Sequence, residues 1–332
     1  MKIMKNNNIE SVENLKINNL PKSIVEITGS IKQSVFSSFR NKAIENINNE
    51  ITVDGFRKGK VPENILISKV GEMAILEEMA ELALSKAYPE IIINEKIDAI
   101  GSPEISITKI ANNIPLEFKI ITAVLPEIKM ADYKTIAKNQ PKNPDGKVEV
   151  SDTEVDEAIK KIVSSHEDHT GHDHESDDFK KRVREALLQD KKLQAQEKRR
   201  IALSDAILEA SSTEIPELLI DSEVQRIEAQ FSDDVKRMGV TLEDYLKHAK
   251  KTIEDLRQDW RPHALKKAKL QLILNNIVKI EKLVVDQKEI EEEVRHILAH
   301  YKDADKELAY TYAETVLTNE KVYQYLEGLN KN

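Results

Sequence analysis

Two short stretches of this chain carry residue types that do chemistry. The first is Gly55-Phe56-Arg57-Lys58-Gly59-Lys60-Val61-Pro62. Gly tolerates backbone angles closed to other residues, so Gly55 and Gly59 frame a sharply bent loop. Pro62 fixes its own φ and suits the first turn of a following helix. Between these, Phe56 offers an apolar face, while Arg57, Lys58 and Lys60 offer positive charge. Such a tip suits a surface of phosphates and protein, because Arg and Lys neutralise phosphate and an aromatic ring fills a pocket. A plainer reading of the same residues is a cationic hairpin loop with a half-buried Phe.

The second stretch holds His166, His169, His172 and His174 with carboxylates interleaved, inside the polar run 164–178. Neutral imidazole ligates zinc, nickel or copper, so these four are weak metal candidates. A His-rich tract is compositional evidence only, and no helix fixes its spacing. The expectation is a solvated loop without metal. His248, His263, His296 and His300 are scattered over helical pattern. His296 and His300 stand four apart, but Ile297 takes the place that Glu holds in a His-Glu-x-x-His zinc motif. With no phosphate-cradling loop and no Cys, the sequence gives no catalytic residue, no cofactor and no ATP dependence.

Bulk numbers limit the alternatives. At 332 residues there is length for two or three domains. Charged residues make up 33% and aromatics only 5%, so the core must rest on Ile, Leu, Val and Ala in a helix-rich protein. The net charge of −9 is uneven: residues 1–150 hold 20 basic and 20 acidic side chains, so the remainder carries it all. An acidic body argues against broad nucleic-acid binding there and leaves the 55–60 loop as the local cationic spot. The opening Met-Lys-Ile-Met-Lys-Asn-Asn-Asn-Ile-Glu has no apolar run of signal-peptide length, and no stretch approaches a membrane span. The expected location is cytoplasmic, with no membrane partner.

These stretches need elements to hold them. Residues 23–30 predict a strand, and apolar spacing from Ile31 through Val35, Phe36, Phe39, Ala43 and Ile47 predicts a helix over 31–48. Helices are expected at 62–69 and 71–88, and strands at 104–110 and 116–124. That order describes an α+β domain over 1–138. A Pro/Asn/Lys-rich linker covers 139–150, and helical pattern fills 151–332. Acids open the helix after Ser151. Pro216 starts a helix, and Pro262 is expected to kink another. Asp286 and Glu289 have capping-box spacing, and Thr318 is expected to cap the last helix.

The eight-residue loop closely resembles the ribosome-docking signature of trigger factor, the chaperone that meets nascent chains at the bacterial exit tunnel. Gly55, Phe56, Arg57, Gly59 and Pro62 match that family's Gly-Phe-Arg-x-Gly-x-x-Pro tip, and its contact triplet falls on Phe56, Arg57 and Lys58. Residues 216–223 and the expected kink at Trp260-Arg261-Pro262 resemble the family's carboxy-terminal domain. The resemblance implies an α+β ribosome-binding domain followed by an elongated all-α domain of the trigger-factor or SurA-like kind. It implies an ATP-independent chaperone whose partners are the large ribosomal subunit at the exit tunnel and unfolded nascent polypeptides, with a homodimer when free.

Most trigger factors carry an FKBP-type prolyl-isomerase domain between the two. Here residues 164–178 take that place, far too short for an enzyme domain. Phe179 is the sole Phe, Tyr or Trp between Tyr133 and Phe231, which leaves no walls for a proline pocket. No prolyl-isomerase activity is therefore expected. Two alternatives are carried forward: residual isomerase or metal chemistry at the His run, and an extracytoplasmic SurA-like holdase or helical scaffold.

Overall fold

The computed structural model describes residues 10–141, 148–165, 177–301 and 304–330. Four strands, β1 (Val12–Leu20), β2 (Ile24–Ile31), β3 (Ala99–Lys109) and β4 (Leu116–Val124), form an antiparallel sheet in the order β1-β2-β4-β3. The helices α1 (Gln33–Ser38), α2 (Arg40–Glu50), α3 (Glu63–Val70) and α4 (Glu72–Asn94) lie between β2 and β3 in the chain. Alternation along the strands sends one side chain in two to the core. Ile27 faces Ile120 and Ile31 faces Leu116 across the β2–β4 pair, and all four are buried. Gly29 faces Phe118, and a Cβ at Gly29 would lie 3.1 Å from the ring tip, so the glycine makes room for the ring. Helix α4 covers this face with Ile75, Leu76, Met79, Ala80, Ala83, Leu84, Ala87 and Ile91. Each fully buried Ile or Leu adds roughly 2 kcal/mol.

Several expectations need correction. The helix expected over 31–48 is two helices broken at Phe39, the cap shared by α1 and α2. Strand β1 escaped the sequence reading because it is an edge strand rich in Asn, with only Val12 buried. Helix α4 continues through Pro89 to Asn94 rather than stopping at 88. The strand expected at 104–110 starts earlier, at Ala99.

Among the described residues eight helices follow: α5 (Tyr133–Asn139), α6 (Asp152–Ser165), α7 (Asp177–Ala210), α8 (Glu217–Arg237), α9 (Leu242–Ala249), α10 (Ile253–Glu281), α11 (Gln287–His300) and α12 (Lys306–Leu329). The chain packs as two compact units. Residues up to Glu127 join Glu214–Leu265 in one, and Ile128–Thr213 join Lys266 onward in the other, so α10 contributes to each.

In the first unit the start of α8 is bound to the sheet. The Lys22 amide donates to Glu214 at 2.9 Å, the Ser23 hydroxyl donates to the Glu214 carbonyl at 3.1 Å, and Lys22 pairs with Glu217 at 2.9 Å. Leu218 sits over Gly101, where any Cβ would fall 2.3 Å from its methyl. Arg261 reaches back to Glu217 and Asp221, and Arg257 forks onto Glu228. Thr241 and Thr252 each accept from the amide three residues on, which caps α9 and the start of α10. Pro262 lies within the continuous α10, and Pro216 caps α8 with an extended backbone.

The second unit is built of helices around Tyr133, Ala137, Leu203, Ile207, Ile273, Leu274, Ile277, Val322 and Leu326 from α5, α7, α10 and α12. Asn330 closes the end of α5 by donating to the carbonyls of Ala137 and Gln140 at 2.9 and 2.6 Å. Ser151 and Glu154 form a reciprocal capping box at the start of α6. At α11 the cap is half of what the spacing promised: Asp286 accepts from the Lys288 amide, while Glu289 pairs with Lys321. Helix α12 starts twelve residues or so before the expected Thr318, because Asp305 accepts from the Glu307 and Leu308 amides and Thr318 lies mid-helix.

Candidate docking site

The loop between α2 and α3 is built from hydrogen bonds, not from core packing. After Ile51 the chain turns back, and the Phe56 amide donates to the Val53 carbonyl at 3.1 Å. The Lys60 amide donates to the Arg57 carbonyl at 2.9 Å. Gly55 and Gly59 have φ of +85° and +80°, the left-handed region that a side chain resists. At Gly59 a Cβ would also meet the Asn49 Oδ1 at 2.6 Å. The Gly59 amide donates to the Asn48 carbonyl at 2.9 Å. One turn thus rests on the last turn of α2.

Asn48 is itself buried, an uncommon place for an amide. Its Nδ2 donates to the Val61 carbonyl at 2.7 Å, and its Oδ1 accepts from the Val61 amide at 3.1 Å. The side chain therefore pairs with residue 61 as a neighbouring strand would. Val61 is buried and Pro62 caps α3, accepting from the Ile65 and Leu66 amides. So Pro62 serves as the cap before the helix and not, as the sequence suggested, as a residue of its first turn. Below the loop, Arg40 forks between Glu63 at the start of α3 and Glu72 at the start of α4. Hydrogen bonds from Arg40 and then Asn112 hold the Glu72 carboxyl below the usual carboxylate range.

Gly55, Phe56, Arg57, Lys58 and Lys60 are exposed at this tip, and Gly59 is half-buried. Phe56 keeps 37% of its surface in water. Arg57, Lys58 and Lys60 make no ion pair with any described residue, although the chain has 59 carboxylates. Sequence reasoning found the tip and missed Asn48 and Arg40. Nothing local marks either, since their partners lie 13 and 23 or more residues away.

His166, His169, His172 and His174 lie outside the described residues. Among the described residues no group of three or more His, Cys, Asp or Glu is placed to hold a metal. The rings of His296 and His300 meet edge to face, 4.8 Å apart. Apolar side chains stay uncovered on several helices: Leu308 is 72% and Tyr312 62% exposed one turn apart on α12, and Met238 follows α8 at 66%. Ala158, Ile162, Phe179, Val183 and Leu187 line an open groove between α6 and α7. Phe231 packs on Tyr245 and Trp260 at 5.1 and 5.3 Å. No helix among the described residues is long and apolar enough to cross a membrane.

A strand-and-helix domain with an uncovered aromatic-cationic tip, followed by helices with uncovered apolar faces, defines a binding protein. The profile described as "Bacterial trigger factor protein (TF)" matches residues 13–162, and that described as "Bacterial trigger factor protein (TF) C-terminus" matches 176–326. The chain belongs to the trigger factor family. It is 22% identical to the trigger factor of Carboxydothermus hydrogenoformans, covering 89% of this chain and 92% of that one. Over a shorter stretch, 42% of this chain and 29% of the relative, identity with the Streptomyces avermitilis trigger factor reaches 32%. A solved structure from work on "Promiscuous Substrate Recognition in Folding and Assembly Activities of the Trigger Factor Chaperone" shares the fold. Its TM-score is 0.56 at 15% identity, covering 94% of this chain and 99% of that one.

Membership makes the chain a cytoplasmic, ribosome-associated chaperone that shields nascent polypeptides. The alignment with the Carboxydothermus protein spans 400 positions, more than this chain has, so the relative carries a stretch without counterpart here. The two family matches stop at 162 and resume at 176. That interval is too short to hold an FKBP-type domain.

Proposed function

We propose that this chaperone docks at the exit tunnel of the large ribosomal subunit through Gly55, Phe56, Arg57, Lys58, Gly59, Lys60 and Pro62, with Phe56, Arg57 and Lys58 as the contacts. The observation that carries this reading is the exposed Phe56 beside three cations that no described carboxylate neutralises. An exposed aromatic costs solvation and three adjacent cations repel one another, so the tip is arranged for an outside partner. Phosphate answers the cations and a pocket answers the ring. Residues 1–138 serve as the docking domain and 151–332 as the helical chaperone domain, with 139–150 as the linker. No cofactor, metal or membrane takes part, and the free chain forms a homodimer.

The work is physical. Docking raises the local concentration of chaperone at the emerging chain, so weak apolar contacts suffice. Leu308, Tyr312 and the groove along α6 and α7 offer such contacts. They keep apolar segments of the client apart until there is enough chain to bury them. Co-sedimentation with salt-washed ribosomes tests the dock: the chain pellets, whereas the Phe56→Ala/Arg57→Ala/Lys58→Ala variant stays in the supernatant. Binding of an unfolded client off the ribosome is unchanged in that variant. Equal pelleting of both chains would remove the loop from the mechanism.

A further inference from the structure

We propose that Asn48 is the positioning residue of the docking tip, holding Phe56, Arg57 and Lys58 in the pose that meets the ribosome. This rests on the reading of the loop as the dock. The tip itself has little to fix it. Phe56, Arg57, Lys58 and Lys60 are all exposed, and each of the two turn bonds, Phe56 to Val53 and Lys60 to Arg57, closes only a local turn. Among the described residues, three hydrogen bonds join residues 59–61 to the end of α2, and all three involve Asn48. Its carbonyl takes the Gly59 amide, and its carboxamide takes both the amide and the carbonyl of Val61. These bonds tie residues 59 and 61 to the end of α2, so the span between becomes a short closed loop.

Residue chemistry makes the clasp specific. A side chain that pairs with both an N–H and a C=O of one residue needs a donor and an acceptor side by side, which the carboxamide of Asn supplies at any pH. Gln is one methylene too long for a partner already at hydrogen-bond distance. The pair is buried, so loss of the carboxamide leaves the Val61 amide and carbonyl without water or partner. Val61 then shifts, Pro62 and the start of α3 move with it, and the tip loses its fixed ends. Arg40 holds the helices α3 and α4 but touches no residue of the tip, which makes it the matched control.

The test measures ribosome affinity against salt concentration for the full chain, Asn48→Leu, Asn48→Asp, Arg40→Leu and the Phe56/Arg57/Lys58 triple alanine variant. Asn48→Leu fits the buried site and removes the clasp. Affinity is expected to fall about tenfold. The slope of log affinity on log salt is expected to shrink by about 1 to 2, because Arg57 and Lys58 no longer meet phosphate together. Asn48→Asp keeps the acceptor for the Val61 amide and falls between. Arg40→Leu loses thermal stability and keeps the slope, which separates a general weakening of the fold from a misplaced tip. Asn48→Leu with wild-type affinity and slope, beside a triple variant that no longer binds, would overturn the clasp and leave the dock standing. A triple variant that binds like the wild type would remove both.

Discussion

Arg200 and Arg57 carry the same side chain in opposite circumstances. Arg200 of α7 is gripped by Glu320 at 2.6 Å and Glu327 at 2.8 Å, lies 5.2 Å from the Tyr323 ring centre, and is largely buried. Its pKa is pushed up chiefly by the hydrogen bonds it donates to Glu320. Arg57 meets no carboxylate among the described residues and is exposed. In this chain a cation closed into a network works on the fold, and one left open is available to a partner. Glu281 shows the closed pattern from the acid side: Tyr133, Tyr325 and Lys134 all donate to it, at 2.5, 2.6 and 2.9 Å.

Charge reversal at the open cation is the hardest test of the contrast. Arg57→Glu replaces a phosphate partner by a repelling carboxylate, and ribosome affinity is expected to drop by about a hundredfold. Its thermal unfolding stays within about 0.5 kcal/mol of wild type. Arg200→Ala inverts the pattern. It leaves Glu320 and Glu327 facing each other, and since Glu320 is partly exposed the expected loss is about 2 kcal/mol of unfolding free energy. Ribosome affinity per folded molecule does not change. If either variant moved the other's observable instead, the division between closed and open charges would fail.

Gly59→Ala probes the open region through its backbone. A left-handed φ and the contact with Asn49 are expected to cost about 1 kcal/mol, and Gly55→Ala less, since nothing lies within 4 Å of its Cβ position. Denaturant melts order the two. The finest test uses pH. Lys134, then Tyr133 and Tyr325, hold the Glu281 carboxyl down at about 2. A carboxyl lowered by folding stabilises the fold above its ordinary pKa, and that support fades as pH falls from about 4.5 towards 2. Glu281→Gln should therefore flatten the acid limb of a stability-against-pH curve between these values. An unchanged limb would mean that other carboxylates set acid unfolding.

The sequence announced the open region far better than the closed one. Gly55, Phe56, Arg57, Gly59 and Pro62 are neighbours in the chain, so their spacing alone draws the loop. Strand β4 was legible for a related reason, because Leu116, Phe118 and Ile120 alternate with Glu117 and Lys119 at the period of a half-buried strand. The closed networks depend on distance. Glu281 meets Tyr133 across 148 residues and Arg200 meets Glu327 across 127, and no local pattern encodes such pairs. Strand β1 hid because its Asn and Glu residues suit an edge and not a core. The early start of α12 hid behind Thr318, a good cap placed mid-helix, while Asp305 took the role.

The seam between Lys22 and Glu217 has a consequence in time. These residues are 195 positions apart, and Gly101 waits 117 positions for Leu218 to fill its notch. At a synthesis rate of roughly 5–20 residues per second, α8 leaves the ribosome about 10–40 s after the first hairpin of the sheet. Once β4 has followed, and until α8 does, the newborn domain has its sheet and its helical cover but an open flank. A chaperone for unfinished chains thus passes through an unfinished stage of its own.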